Sequence, residues 1–206
     1  MELEKLEQII NLALSEEQIN EHALKSKSGQ QLQYDRTKTL EDLANDYFNL
    51  IKNHKLHKVK NPMRKQSNNL FPITYYNPFT QKQEENEFSF ILGSHKTGML
   101  HIYERHYSDK IAHAIGEVEK ATNKTTNGNK PLIEEENGKI QTNRLLYFYN
   151  GYLYIVGIPD IHSNGDLNDQ LCYLHNIYPW TKNQYDDLKS KQDSLLARYR
   201  LDNLKN

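Results

Sequence analysis

The 206-residue chain has one cysteine, Cys172, and one tryptophan, Trp180, and its formal charge is only −1. A single cysteine excludes an intrachain disulfide and leaves no CxxC pair for redox or zinc chemistry. No P-loop, GxGxxG, HExxH or GxSxG pattern occurs, so glycine-loop phosphate cradles and zincin chemistry have no support. No apolar run approaches the roughly 20 residues of a membrane-spanning helix. The segment Met1-Glu2-Leu3-Glu4-Lys5 is acidic and is not followed by the apolar stretch of a secretory leader. The expectation is a cytoplasmic protein with no membrane partner, no cofactor and no metal.

Apolar residues make up 36%, which is low, but 14 tyrosines add large rings that keep a polar tip wet. Charge is unevenly spread. Residues 1–46 carry ten acids and five bases, whereas residues 47–83 carry seven bases and no acid. Lys55, Lys58, Lys60, Arg64 and Lys65 fall in that second stretch and are candidate phosphate contacts. The competing reading is a solvated lysine-rich linker.

Hydrophobic spacing divides the chain. Leu3 to Leu14 outline an amphipathic helix, Ser15-Glu16-Glu17-Gln18 opens a second with a capping-box pattern, and Leu40 to Ile51 repeat at helical spacing within a third over about 39–56. Turn residues and prolines over 58–72 end this helical region at about residue 58. Residues 59–84 read as a basic linker and a first strand at Ile73-Thr74-Tyr75-Tyr76, and residues 85–206 as an α+β domain with a C-terminal helix. Within that domain Glu87 to Leu92 alternate as a strand. Helices are expected over about 96–107 and, with Ser108 as N-cap, over 109–122. Asn150-Gly151 between Leu145–Tyr149 and Tyr152–Val156 predicts a type I′ hairpin. A last strand is expected over 171–178 and a final helix over 186–204. The fold class is therefore α+β, with two helices packed on an antiparallel sheet.

The densest chemistry lies in Gly98-Met99-Leu100-His101-Ile102-Tyr103-Glu104-Arg105-His106-Tyr107. On a helix His101 and Arg105 are one turn apart on one face, while His106 falls well round from His101 and points elsewhere. An imidazole moves protons near neutral pH and a guanidinium grips phosphate in a fork. The bland alternative is an ordinary amphipathic helix with one half-buried histidine. His54 and His57 have a spacing that can share a metal, but the neighbouring lysines oppose a cation. Glu134-Glu135-Glu136 reads as a solvated acidic loop.

The strand over 87–93 followed by H-I-x-x-R-H at His101, Ile102, Arg105 and His106, then a second amphipathic helix, resembles phage- and plasmid-borne nucleases of the barnase–EndoU–colicin–RelE superfamily. The resemblance covers roughly residues 85–180. It implies a helix that precedes an antiparallel sheet bearing the rest of the site. The function it implies is that of a metal-independent endoribonuclease of toxin or mobile-element type, with RNA as partner. His101 is then the candidate base or acid, Arg105 the phosphate clamp, and His106 a second proton carrier or a brace. Lys96, Tyr152, Tyr154, His175 and Tyr178 are candidates for completing the site, and a free aromatic face of the 145–156 hairpin would stack bases. The alternative is a non-catalytic phage or plasmid protein that binds nucleic acid or a host protein, including a degenerate nuclease fold acting as an inhibitor.

Overall fold

The computed structural model describes residues 38–53, 55, 71–123, 130–159 and 171–204. The two helices expected before residue 25, His54, His57, Lys58, Lys60, Arg64 and Lys65 lie outside the described residues.

Helix α1, Leu40–Asn53, begins in a reciprocal cap. The Asp42 amide donates to Thr39 Oγ1 at 3.1 Å, and the Thr39 amide donates to Asp42 Oδ2 at 2.9 Å. This satisfies two of the amides that a helix start leaves open. Leu43, Ala44, Tyr47, Phe48 and Ile51 face inward. They join the same core as the sheet, so the helical region and the α+β domain share one hydrophobic interior.

Strands β1 (Phe71–Asn77) and β2 (Lys82–Ser89) form an antiparallel hairpin. The polar run Lys82 to Asn86 is thus strand, and Phe90 to Leu92, expected in the strand that starts at Glu87, lie past its end. Side-chain bonds account for this strand. Glu84 accepts from the Tyr75 hydroxyl at 2.8 Å, from Asn77 Nδ2 at 3.2 Å and from Thr80 Oγ1 at 2.6 Å. Helix α2, Gly98–His106, follows. The single helix expected over 109–122 is two, α3 (Asp109–Gly116) and α4 (Val118–Thr122), broken at Glu117. Ser108 occupies the cap position of α3 without a side-chain cap bond.

Two short strands, β3 (Glu135–Glu136) and β4 (Lys139–Ile140), pair with each other. The hairpin of β5 (Arg144–Tyr149) and β6 (Tyr152–Gly157) turns at Asn150 and Gly151, with φ of 46° and 79°. These are the positive values that the type I′ turn requires. Strand β7 (Cys172–Pro179) completes a five-stranded sheet in the order β1-β2-β7-β6-β5. The sheet is mixed and not purely antiparallel, because β2 runs parallel to β7 through Phe88↔Cys172 and Ser89↔Tyr173.

One sheet face, with Tyr147, Tyr154, Val156 and Leu174, packs against the core that includes α1, α2 and α3. The other face, with Leu146, Phe148, Leu153 and Ile155, packs under Trp180, Tyr185 and Leu188. The last two belong to helix α5, Lys182–Asn203, which opens in a capping box between Thr181 and Gln184. Gln192 of α5 brackets the Ile133 peptide, accepting from its amide and donating to its carbonyl, each at 2.8 Å. Neither face of the hairpin is therefore a bare aromatic platform, contrary to the stacking expectation. Burial also pushes the Cys172 thiol up to about 12, which leaves it inert at neutral pH.

Candidate active site

The site is set by a compressed link between β2 and α2. Gly93 and Gly98 have φ of 77° and 78°, and a Cβ on Gly93 would lie 2.1 Å from the Thr97 carbonyl oxygen. Only glycine fits so close an approach at positive φ. The chain doubles back there, with the Ser94 amide donating to Thr97 O at 2.8 Å and the Thr97 amide to Ser94 O at 3.3 Å. His95 and Lys96 form the tip. The first amides of α2 are not left open, since Met99 and Leu100 donate to the carbonyls of Ile91 and Leu92 at 3.0 and 2.9 Å.

His101 Nδ1 lies 2.7 Å from the His95 carbonyl oxygen. A carbonyl only accepts, so Nδ1 carries the hydrogen and Nε2 of the neutral ring keeps its lone pair. His106 does not point away from His101 as helical spacing suggests. The two rings meet edge to face with centroids 5.7 Å apart, and the His106 ring lies 5.4 Å from that of Tyr178 on β7. The contact arises because His106 is the last residue of α2, where long side chains lean back toward the preceding turn.

Electrostatics separate these groups. Burial first, then the neighbouring His101, then the Arg105 guanidinium hold the His106 imidazole below the ordinary histidine value of 6.5. Burial and the Glu134 charge raise Tyr178, with Arg144 opposing, so its hydroxyl stays protonated. Arg105 is exposed, as is Lys96 at the neighbouring turn.

The other candidates divide. Tyr154 is in the core, its hydroxyl donating to the Ala114 carbonyl at 2.8 Å, and is corrected to a structural role, while half-buried Tyr152 packs against the same core. Strand parity turns Tyr154 toward α3, while Tyr178, opposite Leu153, faces the other way. His175 lies beside Tyr173, their ring centroids 6.2 Å apart. Lys55 is exposed at a φ of 53°. The Glu134–Glu136 run is also not a free acidic loop. Glu134 and Glu136 pair with Arg144, and Glu135 pairs with Arg198. Among the described residues no group of three or more His, Cys, Asp or Glu side chains is placed to hold a metal ion. No described helix is long and apolar enough to cross a membrane.

No protein-family model, curated protein or solved structure matches the chain. Sequence reasoning missed His95 and Glu104, whose side chains meet with Nδ1 to Oε1 at 2.7 Å. The only signal was a histidine six residues before His101 in a link flanked by two glycines.

Proposed function

We propose that the chain is a metal-independent endoribonuclease that cleaves RNA by acid–base chemistry at His101 and His106. The observation that carries this reading is the 5.7 Å imidazole pair beside Tyr178. Burial, then the neighbouring His101 and Arg105, disfavour a proton on His106 and keep it available as a base, and His101 at 5.7 Å is the second imidazole that serves as the acid. A base and an acid are the two functions that RNA transesterification needs.

In this reading neutral His106 takes the proton of the ribose 2′-hydroxyl. The 2′-oxygen attacks the adjacent phosphorus, and the P–O5′ bond breaks. His101, protonated on Nε2 while Nδ1 stays on the His95 carbonyl, gives its proton to the leaving 5′-oxygen. Products are a 2′,3′-cyclic phosphate and a 5′-hydroxyl. Arg105 holds the equatorial phosphate oxygens in its fork as their charge builds, and Tyr178 donates from its hydroxyl. The basic segment with Lys55, Lys58, Lys60, Arg64 and Lys65, together with Lys96, contacts flanking phosphates, so affinity falls steeply with salt. This is the chemistry expected from the superfamily resemblance, and a toxin or mobile-element origin belongs to the same proposal.

The test is incubation of the purified protein with defined oligoribonucleotides, with and without EDTA, followed by analysis of the ends. Cleavage in EDTA that yields cyclic phosphate ends and stops at a 2′-deoxy position is expected. Intact RNA under all conditions, or cleavage that EDTA abolishes, contradicts the proposal.

A further inference from the structure

We infer that Glu104 and His95 form a positioning pair that fixes which nitrogen of His101 is basic. Residue 95 is held at both ends. Its ring nitrogen Nδ1 meets Glu104 Oε1 at 2.7 Å, and its carbonyl receives the His101 Nδ1 hydrogen at 2.7 Å. The Glu104 side chain is only 18% exposed and that of His95 37%, so solvent weakens the contact less than at an open surface.

The backbone around this pair leaves little freedom. The 94–97 turn is closed by two amide–carbonyl bonds, the Lys96 amide donates to Ser94 Oγ at 3.2 Å, and the helix start is bonded to residues 91 and 92. A flip of the 95–96 peptide would turn the carbonyl from His101 and break the Lys96 amide bond to Ser94 Oγ, whereas a shift of residue 95 as a whole would take its carbonyl from His101 and its ring from Glu104 together. Glu104 and His101 lie on the same helix, so the helix supplies both ends of the clamp and the turn supplies its middle. A carboxylate that accepts from an imidazole N–H is a common way to fix ring orientation from outside a site. Here the carboxylate acts through a neighbouring histidine's backbone. Glu104 and His95 are positioning residues and need not touch a substrate.

The tautomer consequence stands whatever the site does; the effect on RNA cleavage rests on the ribonuclease reading. The test is a long-range ¹H–¹⁵N imidazole correlation spectrum at a pH high enough for the His101 ring to be neutral. It compares wild type, Glu104→Gln and Glu104→Ala, with His101→Ala used to assign the His101 signals and thermal unfolding to verify folding. Wild type is expected to hold the His101 proton on Nδ1. Glu104→Gln should retain it, because its amide oxygen still accepts from His95. Glu104→Ala should let the ring sample both tautomers, with a cleavage kcat lower by about 10–100-fold and KM little changed. Glu104→Asp, whose carboxylate is one methylene short, gives the same reading should the alanine variant not fold. A wild-type ring protonated on Nε2, or an unaltered tautomer in folded Glu104→Ala and Glu104→Asp, overturns the inference. The expected tautomer shift in a protein that cleaves no RNA upholds the positioning role and removes the ribonuclease reading alone.

Discussion

The His101 and His106 rings meet at 5.7 Å, although five residues of helix separate their Cα atoms by about 140° around the axis. The approach is made by side chains at the end of α2, and it brings the His106 ring between those of His101 and Tyr178. The environment of His106 affects stability as well as chemistry.

The His106 pKa is depressed in the folded chain, so the unfolded chain binds more protons between that lowered value and the ordinary 6.5. Stability must therefore rise with pH across this window and level off above it, as far as His106 is concerned. Chemical denaturation at a series of pH values should show this slope, and His106→Gln should flatten it. An unchanged slope in His106→Gln assigns the effect to other groups.

Gly93→Ala should destabilise the protein and disturb the site together. Its positive φ costs an L-residue about 1–3 kcal/mol, and its Cβ would meet the Thr97 carbonyl oxygen at 2.1 Å. Displacing Thr97 opens the 94–97 turn and moves the His95 carbonyl. Thermal unfolding and the His101 imidazole spectrum should change in the same variant. Gly151→Ala, where a Cβ would meet nothing within 4 Å, should carry the φ penalty and leave the spectrum unaltered.

How much of this was legible in sequence depends on the range of the interaction. The Asn150-Gly151 hairpin is local turn chemistry and was readable, as was the 3.6-residue stripe of α1. Only the end of strand β2, residues 87–89, was, because its first residues are polar and held by bonds from Tyr75, Asn77 and Thr80 to Glu84. The parallel pairing Phe88↔Cys172 joins distant segments and leaves no local pattern, which is why the sheet was expected to be antiparallel. At the site the motif marked His101, Arg105 and His106. Helical geometry alone sent His106 the wrong way, since it describes Cα directions and not where a terminal side chain reaches. His95 enters through its main-chain carbonyl, which no residue-type pattern reveals.

Tyr147→Phe should leave the protein as stable or more stable. The Tyr147 hydroxyl oxygen is buried and has no hydrogen-bond partner among the described residues, and burial holds the phenol far above its ordinary value. An unsatisfied buried polar group costs about 1–3 kcal/mol, and removing it recovers part of that cost. Urea denaturation decides it: a loss exceeding about 1 kcal/mol would mean that the hydroxyl has a partner and a structural role.

The proposed chemistry has His101 and His106 each move one proton of RNA cleavage. Its most direct measurement is the pH dependence of single-turnover cleavage of one defined oligoribonucleotide in EDTA, for wild type, His101→Ala and His106→Ala. A bell-shaped wild-type profile is expected. Each variant should remain folded, lose about 10²–10⁴-fold in rate and lose one limb of the bell. A folded His101→Ala or His106→Ala protein that cleaves at the wild-type rate with both limbs intact would contradict it.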